Sequence, residues 1–172
     1  AQREVRDYYM ALIEETLERY DVDGLELDFM REPYVFSADK ELEGAPFLTA
    51  WLRDVRQRTN EAAVKRGHPI RLGVRAPSRP ETALGMGLDT VAWAQEGLID
   101  LLVVTPRWAT LEFGMAIPEW RQQLGKTKVT LVGGLEVLYR PVPGSPPEVV
   151  SPELAHGAAS VVLADSADAV YL

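Results

Sequence analysis

The stretch Asp21-Val22-Asp23-Gly24-Leu25-Glu26-Leu27-Asp28-Phe29 decides how this chain folds. Asp21 to Gly24 read as a turn, and the residues after it read as a strand. Alternation in that strand puts Leu25, Leu27 and Phe29 on one face and Glu26, Asp28 and Met30 on the other. Ahead of the turn, Val5, Tyr8, Tyr9, Leu12, Ile13, Leu17 and Tyr20 recur at helical spacing. The chain therefore opens as helix, turn and strand, and two carboxylates share one strand face.

The same change of period recurs to the end. Phe47, Leu48, Trp51, Leu52, Val55, Ala62 and Ala63 predict a helix closing at Gly67, and Ile70 to Arg75 a strand. A helix from about Leu88 to Glu96 stops at Gly97, and the run Leu101-Leu102-Val103-Val104 follows Asp100. A helix around Ile117 to Leu124 ends at Gly125, ahead of a strand from Lys128 to Leu135. Ser151 caps a last helix with Pro152 at its first position, running to about Leu163, and Ala169-Val170-Tyr171-Leu172 starts another strand. Short apolar strands alternating with helices are the pattern of an α/β protein with a parallel sheet covered by helices. No Gly-rich phosphate loop follows any strand, which favours a barrel over an open nucleotide-binding sheet.

A full barrel takes about 250 residues. Residues 1–172 are therefore expected to form strands four to eight of a TIM-type (β/α)8 barrel, its C-terminal half or more. Such a piece exposes strand edges, so a homo-oligomer formed through those edges is expected. The segments from Arg31 to Ala45 and from Tyr139 to Val150 both follow strands, which places them at the face where barrel enzymes keep their chemistry.

Composition narrows the functions. The 26 acidic residues outnumber 18 basic ones for a net charge of -8, and only Lys65-Arg66 and the run around Lys126 and Lys128 cluster basic charge, so nucleic acid is not an expected partner. The chain has no cysteine, which excludes disulfides and thiolate metal sites without choosing a compartment. No apolar run approaches the ~20 residues of a membrane helix, so a membrane is not expected as a partner either. His68 and His156 lack a second histidine at ligand spacing, which disfavours a zinc hydrolase. No metal or other cofactor is assigned, although an Asp/Glu metal site stays open.

The candidate chemistry sits at strand ends. Ionised carboxylates are costly to bury unless paired or solvated, by several kcal/mol on the order stated for buried ions. A strand face carrying both Glu26 and Asp28 therefore points to a site. Glu136 ends the penultimate strand and is the third candidate catalytic residue. Arg75 ends the second strand, Arg107 and Trp108 follow the third, Tyr139 follows the fourth, and Arg31, Tyr34 and Phe36 lie in the first loop. Aromatic faces and fixed polar groups suit a sugar, and Arg31, Arg75, Arg107, Trp108 and Tyr139 are the candidate substrate-binding residues. Structural readings stand beside these. Asp28 could hold loop amides or pair with Arg31, Glu26 could pair with Arg75, and Glu136 with Arg140. Trp51, Trp93 and Trp120 lie on helices and are expected in the core.

The stretch Asp23-Gly24-Leu25-Glu26-Leu27-Asp28-Phe29-Met30-Arg31-Glu32-Pro33 resembles the D-G-[ILV]-x-[FL]-D-[FY]-[IVM]-R-x-P segment of glycosyl-hydrolase-like TIM-barrel families, related in outline to the chitinase and amylase superfamilies. Pro152-Glu153-Leu154, Gly157-Ala158-Ala159 and Ala167 to Leu172 are similar to their final helix and eighth strand. The resemblance implies a glycoside hydrolase-like domain acting on a carbohydrate by paired-carboxylate acid/base or nucleophilic catalysis. Asp28 or Glu26 then occupies the place after the fourth strand and Glu136 the place after the seventh. The Asn-Glu pair usual after the fourth strand is absent. The chitinase pattern D-G-x-D-x-D-x-E also overlays, but its catalytic Glu falls on Met30, so a chitinase mechanism is not supported. Two other expectations stay open: a non-catalytic carbohydrate-binding or scaffold barrel, and a metal-assisted lyase or aldolase.

Overall fold

A computed structural model describes residues 2–30, 32–108 and 114–172. Helix α1 (Arg3–Arg19) leads to strand β1 (Gly24–Asp28), α2 (Glu41–Arg66) to β2 (Arg71–Pro77), and α3 (Pro80–Gly85) and α4 (Thr90–Gln95) to β3 (Leu101–Thr105). Then come α5 (Ile117–Leu124), β4 (Thr130–Gly134), the short strands β5 (Leu138–Tyr139) and β6 (Glu148–Val149), α6 (Pro152–Ala164) and β7 (Ala169–Tyr171). Five strands form one sheet in the order β1-β2-β3-β4-β7, every neighbouring pair parallel. The expected α/β class and parallel sheet are present.

Alternation sorts the sheet into two faces. Leu72, Val74, Ala76, Leu102, Val104 and Leu131 face the helices and are fully buried, with Leu52, Val55, Trp93 and Trp120 packed over them. Each buried aliphatic side chain of this kind contributes roughly 1.5–3 kcal/mol of transfer free energy. The indoles of Trp93 and Trp120 avoid the cost of a buried unpaired N–H by donating to Thr49 Oγ1 at 2.8 Å and to the carbonyl of Ser78 at 2.9 Å. The other sheet face carries Glu26, Asp28, Arg75, Val103, Thr105, Gly134 and Tyr171. A Cβ on Gly133 would come within 2.2 Å of Val162 Cγ1, so glycine there lets α6 seat directly on β4.

The sheet is strongly rolled. β1 and β7 are its two edges, four strand spacings and so roughly 19 Å apart if the sheet were flat. Yet the Tyr171 hydroxyl donates to Glu26 Oε1 at 3.3 Å. Only a sheet curled about the face carrying these side chains brings them together, as in a barrel wall.

At the opposite, N-terminal ends of the strands, aspartates tie neighbouring units. Asp100 precedes β3, and its Oδ2 accepts the Leu72 amide of β2 at 2.8 Å and Arg56 of α2 at 2.6 Å. Asp168 repeats the device before β7, taking the Leu131 amide of β4 at 2.8 Å and Arg121 of α5 at 2.6 Å.

Several element boundaries differ from expectation. α2 begins at Glu41 and includes Pro46, so the loop expected to reach Ala45 ends at Lys40. The Phe36 ring packs where a Gly44 side chain would stand, and again against Gly87, which makes Phe36 a loop anchor instead of a member of the cleft. The helix expected from Leu88 starts at Thr90, capped by Asp89, while Leu88 is buried ahead of it. α3 and the β5–β6 hairpin are too short for periodicity to show.

Arg121 holds the Asp168 carboxyl below the ordinary Asp value of 3.8, with the Leu131 amide adding to this against the effect of burial. The contribution of Asp168 is thus present above that value and lost as pH falls through the lower folded one. Asp168→Ala is expected to lower stability in urea unfolding by about 1 kcal/mol at pH 7, after allowance for the carboxylate's partial exposure. That deficit should shrink below about pH 4.

Candidate active site

The rolled face gathers charged groups at the C-terminal ends of its strands. Asp28 stands opposite Arg75 in the β1–β2 register, and Arg75 Nη1 lies 3.4 Å from Asp28 Oδ2. The Nη2 of the same guanidinium lies 3.6 Å from Oε1 of Glu136, just beyond β4. One cation therefore bridges two of the three candidate carboxylates. Arg75 and Glu136 are mostly sheltered, with side chains 22% and 20% exposed, so water screens their attraction less than on an open surface. Asp28 Oδ1 also accepts the Met30 amide at 2.8 Å, pinning the start of the following loop.

Glu26 is placed differently. Its sheet neighbour in register is Gly73, and its Oε1 accepts from Tyr171. Glu26 keeps contact with solvent, but partial burial still pushes its carboxyl above the ordinary value of 4.5 and Asp28 adds to this, while the Tyr171 bond and Arg75 oppose it. Tyr171 is itself pushed up from 10.0, first by the charge of Glu26 and then by burial. The Tyr171 ring also lies under Arg75, whose Cζ is 5.7 Å from the ring centroid.

A second cluster forms one rim. Arg107, beyond β3, donates to the Tyr34 hydroxyl at 2.9 Å and lies 3.3 Å from Glu32 Oε2. Its Cζ is 5.0 Å from the Tyr34 ring centroid and 5.7 Å from that of Trp108. Trp108 is 60% exposed and held at φ 55°, a left-handed backbone that costs a bulky residue on the order of 1–3 kcal/mol. Such an outlier at a strand's C-terminal end is a pointer to function.

The expected residues thus divide. Glu26, Asp28, Arg75 and Glu136 come together, and Arg107 and Trp108 share one rim. Tyr139 belongs to the β5–β6 hairpin, where its hydroxyl donates to Glu148 Oε2 at 3.2 Å. Arg31 lies outside the described residues. Arg140 donates to the Ser145 carbonyl and not to Glu136. Glu26 meets Tyr171 in place of the ion pair with Arg75 expected on the structural reading. Trp93 and Trp120 are buried as expected, but Trp51 is only partly buried, lining a groove of about 740 Å³ between α1 and β1.

Tyr171 escaped the sequence reading. The signal available was alternation in Ala169-Val170-Tyr171, which puts Tyr171 on the same face as Ala169, but nothing in one sequence says that β7 curls back toward β1. Among the described residues no group of three or more His, Cys, Asp or Glu side chains stands close enough to share a metal ion. The positive charge between Asp28 and Glu136 is supplied by Arg75.

No protein-family profile matches the sequence, and no curated protein matches it. Among solved structures the chain is similar to a family GH18 chitinase from Chromobacterium violaceum, with a TM-score of 0.50 and 16% identity. The likeness covers 77% of this chain and 26% of that one, so this chain corresponds to about a quarter of that structure. At this identity it is a likeness of fold, a partial match to a glycoside-hydrolase-like TIM barrel.

Glu26 is expected to resist ionisation in the folded state. Its raised value means that the folded protein holds the extra proton over the interval just above 4.5, so the stability linked to that proton is lost as pH rises through it. Glu26→Gln removes the charge while keeping an oxygen for Tyr171. It is expected to melt at or above the wild type at pH 7, with the two melting temperatures converging below about pH 4.5, the ordinary value.

Proposed function

We propose that the rolled face is the cleft of a domain that cleaves glycosidic bonds, with Glu26 as the proton donor and Asp28 and Glu136 as its anionic partners. The observation that carries this reading is the sorting of the carboxylates. Glu26 meets a neutral phenol and is pushed toward its protonated form, whereas Asp28 and Glu136 share a guanidinium. Environments that separate the protonation of neighbouring carboxyls are how one site obtains both an acid and a base or nucleophile.

In the proposed reaction Glu26 gives its proton to the leaving glycosidic oxygen as the C–O bond breaks. Water supplies the oxygen that ends on the anomeric carbon, and its released proton restores the carboxyl. If the anion activates water directly, the configuration inverts; if it first bonds to the sugar, the configuration is retained. Trp108 and Tyr34 offer exposed ring faces for sugar C–H groups.

The second reading, a carbohydrate-binding barrel without catalysis, is favoured by Met30. Met30 is buried at the position where the chitinase pattern carries its glutamate. The two readings part in one experiment, hydrolysis of a panel of oligosaccharides by wild type, Glu26→Gln, Asp28→Asn and Glu136→Gln, each checked for folding by circular dichroism. The hydrolytic reading expects wild-type cleavage, with kcat reduced about 10²- to 10⁴-fold in Glu26→Gln. Glycan binding with no cleavage by the wild type decides for the binding module.

A further inference from the structure

We infer that Tyr171 is a positioning residue for Glu26, its hydroxyl occupying Oε1 so that Oε2 is the oxygen presented to the leaving group. The inference deepens the hydrolytic reading and rests on it for its catalytic meaning. Its structural basis is the 3.3 Å bond from β7 to β1 across the rolled sheet.

The chemistry of the donor matters. A guanidinium or ammonium as the partner of Glu26 would favour its anion and defeat an acid. A phenol donates without adding charge, so it orients Glu26 and still leaves it able to carry a proton. When Glu26 is protonated, Oε1 is already accepting from Tyr171, and the proton is directed to Oε2. Arg75 steadies the phenol from its ring face, with its cation 5.7 Å from the centroid.

Among the described residues, Asp28 shares the strand of Glu26, Arg71 and Arg75 come from β2, Asp100 precedes β3, Glu136 follows β4, and Arg6 and Tyr9 of α1 with Glu32 and Tyr34 of the first loop line the groove at the sheet edge. Among the described residues Tyr171, from β7, is the one whose side chain is hydrogen-bonded to Glu26, at 3.3 Å. A bond made to the charged form favours that form, so Tyr171 moderates the upward push that burial exerts on Glu26.

The test is Tyr171→Phe, which removes one oxygen and keeps the ring under Arg75. Side-chain carboxyl ¹³C titration of the full chain labelled at glutamate, with Glu26→Gln to assign the signal, is expected to show the Glu26 midpoint moving upward in Tyr171→Phe. Reciprocally, ring-carbon titration of Tyr171 is expected to show its phenol ionising at lower pH in Glu26→Gln, because the charge that raises it is gone. With an active substrate, kcat is expected to fall about tenfold in Tyr171→Phe with KM little changed, the loss of roughly one hydrogen bond. The high-pH limb of the rate profile should move with the Glu26 midpoint. Identical Glu26 titration in wild type and Tyr171→Phe overturns the assignment, as does an unmoved Tyr171 phenol in Glu26→Gln. Absence of glycan cleavage by the wild type defeats the hydrolytic reading instead, and the two titrations separate that failure from this one.

Discussion

The hydroxyl of Tyr171 and the carboxyl of Glu26 belong to the two edge strands of a five-stranded sheet, and they meet at 3.3 Å. The meeting constrains everything between them. It requires the sheet to roll, which in turn aims Asp28 from the same edge strand, and Arg75 and Glu136 from β2 and the end of β4, toward one another and leaves the other face to the helices. Where the roll is tight, side chains must be small: a Cβ on Gly134 would stand 2.8 Å from Thr105 Cβ. Fold and candidate site are in this sense one arrangement, since the curvature that defines the architecture is also what collects the carboxylates.

The two ends of the strands do different work. At the N-terminal ends, Asp100 and Asp168 each take a neighbouring strand's amide and a helix arginine, which ties one β/α unit to the next. At the C-terminal ends the polar groups point at one another across the concavity and retain solvent access. That division lets the upper face hold opposed charges, a raised carboxyl at Glu26 and a strained backbone at Trp108 without loosening the strands below.

Much of this was legible from the residues. The change between helical and strand spacing located all five sheet strands, because apolar period follows directly from which face is buried. Alternation in Leu25–Phe29 put Glu26 and Asp28 on one face, and that face is the concave one. Other features depend on contacts distant in sequence and leave no local mark. Phe36 fills the space beside Gly44 and Gly87, Glu136 finds Arg75 instead of the nearby Arg140, and Tyr171 reaches Glu26 over 145 positions. The start of α2 also left no clear mark, since its first turn at Glu41 precedes the apolar spacing that begins at Phe47.

The most direct test of the rolled sheet is a double-mutant cycle on Glu26→Ala and Tyr171→Phe, read as unfolding free energies in urea at pH 7. If the edge strands meet through this pair, the cycle returns a favourable coupling of about 0.5–1.5 kcal/mol. Additive effects, within the ~0.3–0.5 kcal/mol typical of residues that do not touch, would contradict the account at its centre.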